Sequence, residues 1–146
     1  MFKRILVLLD RQENVDAVLA RAEKAARKLG CPVHLVCMID VSPLTHCGAH
    51  GPCIDVSRYR AQVPSEHASA HRYLRSVAKT LSDRGLEVTY DVRPGLLAFE
   101  LPAAVRPGDL VVTESQQCLE LLNTQKAYRR TGQDVLRNAR RPSFCR

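Results

Sequence analysis

Three short stretches of this chain are apolar at almost every position: Ile5-Leu6-Val7-Leu8-Leu9, Val33-His34-Leu35-Val36-Cys37-Met38-Ile39 and Leu110-Val111-Val112. A strand wetted on one face alternates apolar and polar residues. A run without alternation suits a strand covered on both faces, as in a parallel sheet with helices on each side. Leu86-Glu87-Val88-Thr89-Tyr90-Asp91-Val92 does alternate, and so predicts a strand with one wet face, at or near a sheet edge.

Between these runs the apolar period becomes helical. Val15, Val18, Leu19, Ala22, Ala26 and Leu29 form one stripe, stopped by Gly30 with Pro32 beyond. Leu74, Val77, Ala78 and Leu81 predict a second helix over 66–84, with Ser65 as N-cap and Gly85 after its end. Leu97, Leu101, Ala104 and Val105 outline a shorter third helix, in which Pro102 fits only if it lies in the first turn. Tyr128, Val135, Leu136 and Ala139 outline a last helix, followed by a short final strand, Pro142-Ser143-Phe144-Cys145. Strands alternating with helical crossovers make an α/β fold, and 146 residues suit one domain. The expectation is a single domain over 1–146, built as a five-stranded parallel sheet with helices on both faces (Rossmann-like), with residues 42–64 left as a flexible loop.

The apolar run at the N-terminus has five residues before Asp10, too short for a signal-peptide core or a membrane span. The chain is therefore expected in the cytoplasm and off the membrane, with its six cysteines reduced. Its formal charge is +7, and seven basic residues against two acidic ones lie between Gln116 and Arg146. No aromatic interleaving or groove-reading motif accompanies them, so they read as a solvated helix face and nucleic acid is not an expected partner.

Ligands of such sheets bind beyond the carboxyl ends of the strands, here residues 9–11, 38–41 and 113–117. The carboxylates near these ends are Asp10, Asp40, Glu114 and Glu120, and no pair of them suits acid/base work. Asp40 reads as a turn-forming carboxylate. There is no Walker loop, nucleophile elbow or His-Glu-x-x-His motif, so no enzymatic activity is expected. A separate constellation, His46-Cys47-x-x-His50-x-x-Cys53, gathers two imidazoles and two thiols of the kind zinc takes in tetrahedral sites. The spacing between its cysteines is not that of a zinc knuckle, and a reduced, metal-free loop is the competing reading. Cys37 reads as core packing, and Cys118, near basic residues and a helix start, is a candidate redox thiol or a bystander.

The segments ILVLLDRQENVDAVLARAEKAARKLGCPVHLVCMID, VAKTLSDRGLEVTYDVRPG, GDLVVTES and VLRNARRP resemble, in order and spacing, the pattern of the universal stress protein family. The resemblance covers nearly the whole chain outside residues 41–64. It implies the same five-stranded sheet, usually in a homodimer, and two groups of members, of which one binds ATP. Binders carry Gly-x-x-Gly, nine residues, then Gly-Ser or Gly-Thr after the fourth strand. On this chain that motif falls on Gln117, Glu120, Arg130 and Thr131, so the spacing survives while all three glycines are replaced.

Glycines in a phosphate loop permit positive φ and let amide hydrogens approach the oxygens without an intervening side chain. Gln117 and Arg130 add bulk there, and Glu120 adds a charge of the phosphate's own sign. Two like charges about 4 Å apart cost roughly 1 kcal/mol in water and several times that in a partly dry cleft. Asp10 and Thr131 remain as remnants of the nucleotide site implied by the resemblance, although Asp10 equally suits a carboxylate leading a helix.

The sequence therefore points to a non-catalytic regulatory or interaction module that does not hold ATP in the family's manner and needs no cofactor. It would act as a homodimer with an unidentified protein partner. The final strand, Ser143-Phe144-Cys145, would offer unpaired backbone groups to a second chain. Two alternatives stand beside it. One is a nucleotide- or other anion-binding protein in which Lys126, Arg129 and Arg130 replace the lost amides. The other is a metal- or redox-sensing protein using zinc at His46, Cys47, His50 and Cys53.

Overall fold

A computed structural model describes residues 1–9, 15–48, 51–124 and 134–135 of the chain. β1 (Arg4–Leu9) is followed by α1 (Val15–Leu29) and β2 (Val33–Asp40). Next come a 3-10 turn (Ser42–Leu44), a hairpin of β3 (Thr45–Gly48) and β4 (Gly51–Ile54), and α2 (Val56–Asp83). β5 (Val88–Gly95), α3 (Leu97–Ala104), β6 (Asp109–Val112), α4 (Gln116–Thr124) and a two-residue β7 (Asp134–Val135) complete the order. The main sheet runs β5-β2-β1-β6-β7 with every neighbouring pair parallel. The hairpin is a separate antiparallel sheet.

The continuous apolar runs became the central strands. β1 pairs with β2 along one edge (Ile5↔Val33 to Leu9↔Cys37) and with β6 along the other (Arg4↔Asp109 to Val7↔Val112). Alternate side chains then enter two different cores. Ile5, Val7 and Leu9 pack with Val18, Ala22 and Ala26 of α1 and with Ala70, Leu74, Ala78 and Leu81 of α2. Leu6 and Leu8 pack on the opposite face with Leu101, Val105, Leu119 and Leu122. The alternating segment became β5, an edge strand in which Thr89 and Asp91 are exposed and Val92 is buried.

Several expectations change. Residues 42–64 are not a loop among the described residues: they carry the 3-10 turn, the hairpin and the first turns of α2. The second helix begins at Val56 rather than near Glu66, because Asp55 caps it by accepting a hydrogen bond from the Arg58 amide (3.1 Å). It then runs through Pro64, a residue that usually ends helices. The added turns pack their own small core, in which Val63 and Tyr59 meet Val41, Leu44 and Leu96.

Pro102 is not in the first turn of α3 but six residues in, so the Ala98 carbonyl lacks its helical donor. Asp134 and Val135 pair with Leu110 and Val111 as a strand instead of extending a last helix; the open edge of β6 supplies the backbone partners. Leu136, Ala139 and the expected final strand, Ser143-Phe144-Cys145, lie outside the described residues.

Polar contacts fasten the end of the sheet opposite the cleft. Arg4 Nε donates to Asp109 Oδ1 (2.8 Å), Arg4 Nη2 reaches Asp109 Oδ2 and the Ala104 carbonyl, and the Arg106 amide also donates to Asp109 Oδ2 (2.8 Å). Asp109 is 2% exposed, so its charge is tolerated only because these donors surround it. On the surface, Glu23 accepts from Arg27 and Arg84, tying α1 to the end of α2. Its carboxyl is held below the usual value by the hydrogen bonds from Arg27 and then Arg84.

Two measurements check this account. Asp109→Ala removes the carboxylate that Arg4 and the Arg106 amide share and is expected to cost about 3 kcal/mol in urea unfolding; a loss under about 0.5 kcal/mol would show that the pair contributes little. His34, whose Nδ1 lies 2.7 Å from Thr89 Oγ1, has its pKa pushed down by burial and by the Arg4 and Arg106 charges, with Asp91 and Asp109 opposing. The unfolded chain therefore protonates first as pH falls through about 6.5, and stability drops there. The wild-type urea midpoint should fall more than that of His34→Gln between roughly pH 7.5 and 5.5. Parallel curves would exclude His34 as the cause.

Candidate functional site

The carboxyl ends of β1, β2 and β6 open into a cleft of about 400 Å³. Leu8 and Leu9 come from β1, Cys37, Met38, Ile39 and Asp40 from β2, and Ser115, Gln117 and Cys118 from the turn and helix after β6. Glu66 and Ala70 of α2 and Leu97 of α3 close the sides. The floor is apolar because it is the last layer of the two cores: Leu8, Leu9, Cys37, Ala70 and Cys118 are all buried. Among the described lining residues the charges are those of Asp40 and Glu66, both acidic.

Asp40 makes the turn expected of it. Its carboxylate accepts from the Ser42 amide and hydroxyl, both at 2.9 Å, and so orders the chain leaving β2. Glu114, just beyond β6, does not face the cleft as a free carboxylate. Arg21 Nη2 of α1 lies 2.6 Å from its Oε1, although at an angle outside hydrogen-bond geometry; neither that atom nor Arg21 Nε has a hydrogen-bond partner among the described residues.

The turn where phosphate-binding glycines would stand is short and internally bonded. The buried Thr113 accepts the Ser115 amide through Oγ1 (3.1 Å), and the buried Ser115 accepts the Cys118 amide through its Oγ (3.3 Å). The Leu119 amide donates to the Ser115 carbonyl (3.0 Å). Ser115 is thus the N-cap of α4, and one donor that a helix N-terminus would offer an anion is already satisfied by the protein.

Gln117 falls in the first turn of α4 and lines the cleft with an exposed side chain. Glu120, expected beside it, stands further along the same helix, bonded to Gln116 Nε2 (3.0 Å), and is not among the lining residues. Asp10, Arg130 and Thr131 lie outside the described residues, as do Lys126 and Arg129. Sequence reasoning placed Glu66 and Ala70 on the second helix but missed them as lining residues, because the packing of that helix on the sheet decides which of its residues reach the strand ends. It also missed Ser115 as a cap, although a serine directly before an apolar helical run was a visible signal.

The cysteine–histidine segment forms the β3–β4 hairpin. His46 pairs directly opposite Cys53 and Cys47 opposite Pro52, while His50 lies outside the described residues. Among the described residues no group of three or more His, Cys, Asp or Glu side chains is placed to hold a metal ion. Cys37 is core packing, as expected, and Cys118 is 6% exposed in the floor of the cleft. Among the described residues no helix is long and apolar enough to cross a membrane.

The profile described as the Universal stress protein family matches residues 1–140. A crystal structure of a protein from the universal stress protein family of Burkholderia pseudomallei is similar in fold, with a TM-score of 0.66 at 19% identity over 92% of this chain and 94% of that one. Universal stress protein UspA from Lactobacillus plantarum is similar at a TM-score of 0.61 and 13% identity, over 77% of this chain and 76% of that one. No curated protein sequence matches. At these identities the structural likeness speaks for the fold alone.

If Ser115 caps α4, Ser115→Ala should cost about 1 kcal/mol by chemical denaturation. An unchanged midpoint would mean that the Cys118 amide finds another acceptor.

Proposed function

This chain belongs to the universal stress protein family, and from that premise we propose that it is a non-catalytic member whose phosphate site is closed, serving as a regulatory or interaction module. The observation that carries the reading is the self-capped start of α4: the Ser115 hydroxyl holds the Cys118 amide at the point where an anion would seek it. Gln117, in place of a glycine, sets a side chain against the cleft rather than a bare amide. Asp40 and Glu66 add negative charge around an apolar floor, which disfavours a triphosphate further.

Absence of catalysis is part of the same proposal. Asp40 is engaged by Ser42, Glu114 stands beside Arg21 and Glu120 is held by Gln116, so each of these carboxylates has a structural occupation. A homodimer with a further protein partner fits the family's habit, and β5 presents one open edge of the sheet among the described residues.

Calorimetric titration with ATP, ADP and AMP is expected to give no binding up to about 1 mM. Sub-millimolar affinity for any of them, lost on Gln117→Trp, would replace this reading with a rebuilt nucleotide site. Light scattering is expected to give twice the chain mass at micromolar concentration, and a strictly monomeric mass would remove the dimer.

A further inference from the structure

We propose that the β3–β4 hairpin carries half of a zinc site, His46 and Cys53, and that two copies of the chain complete it around one shared ion. The register is the starting point. His46 and Cys53 are directly opposite in an antiparallel pair, which places them on the same face with Cβ atoms about 4.5–5.5 Å apart. That separation lets an imidazole nitrogen at about 2.0 Å and a thiolate sulfur at about 2.3 Å meet one Zn²⁺.

Both residues are exposed, and the Cys53 Sγ makes only a long contact to the Gly51 carbonyl (3.6 Å), so neither is committed to the core. An imidazole and a thiol meeting across a two-stranded ribbon is a donor set suited to a borderline cation. Carboxylates do not complete the set, because no described group of three or more His, Cys, Asp or Glu side chains forms around them.

Zinc in a closed site takes four ligands, and among the described side chains one hairpin supplies two. A second copy supplies the same two in the isologous arrangement of a twofold dimer, giving a His₂Cys₂ tetrahedron. The hairpin is suited to this contact because it forms a sheet of its own. Just beyond it, Val56 is 56% exposed and offers apolar surface for a second chain to cover. On binding, each Cys53 thiol releases its proton to solvent and bonds as thiolate, while each His46 binds as neutral imidazole; no oxidant or reductant is needed. This proposal is independent of what the cleft binds.

The test uses the full chain, stripped with chelator under a phosphine reductant and desalted. Light scattering during titration with Zn²⁺ is expected to show the apo mass doubling, from the two chains of the proposed dimer to four, at one ion per two chains, and EDTA is expected to reverse it. Co²⁺ in place of Zn²⁺ should give thiolate charge-transfer and tetrahedral absorption bands. Both responses should be lost in His46→Ala and in Cys53→Ser, whose thermal midpoints should match the wild type because both side chains are exposed. An unchanged mass with zinc, binding of one ion per chain without doubling, or doubling that survives in either variant overturns the proposal.

Discussion

The burial of β1 on both faces and both edges is the constraint from which the rest of the structure follows. Ile5, Leu6 and Val7 are wholly inaccessible to solvent, and both edges of the strand pair with neighbours. Side chains on one side of the strand face α1 and α2, while those on the other meet α3 and α4, so removing β1 would dissolve both cores at once. Its backbone polar groups are satisfied only by flanking parallel strands, which forces helical crossovers and aligns the carboxyl ends of β1, β2 and β6. The cleft is a consequence of that alignment: it opens where the strands stop and the helices diverge.

What occupies the cleft's entrance is decided locally, by a few side chains after β6. A glycine-rich turn leaves helix-start amides open to an incoming anion. Here Thr113 and Ser115 turn their hydroxyls inward and consume amides of the same turn. The strands set where the turn lies, and its side chains set what it offers.

Much of this was legible in the residues themselves. Continuous against alternating apolar runs separated the central strands from the edge strand β5, and Gly30 correctly marked the end of α1. Three things were not legible. Residues 42–64 were expected as a flexible loop, but the Asp55 cap and the packing of Val63 and Tyr59 against Val41 and Leu44 start α2 at Val56 and carry it through Pro64. Val135 fits a helical stripe, yet the free edge of β6 recruits Asp134 and Val135 as a strand. Glu120 looked like a neighbour of any ligand, whereas its place on α4 gives it to Gln116.

The sequence by itself determined the fold class and which strands are central, since periodicity records which faces are buried and the burial of apolar surface is the dominant force in folding. It also located the cleft, because the ends of parallel strands must meet there. Only the tertiary structure decided which side chains reach the cleft, that Ser115 caps α4, and that His46 stands across from Cys53. Those outcomes depend on cap geometry and strand register, which arise from contacts between residues distant in the chain and leave no periodic mark on it.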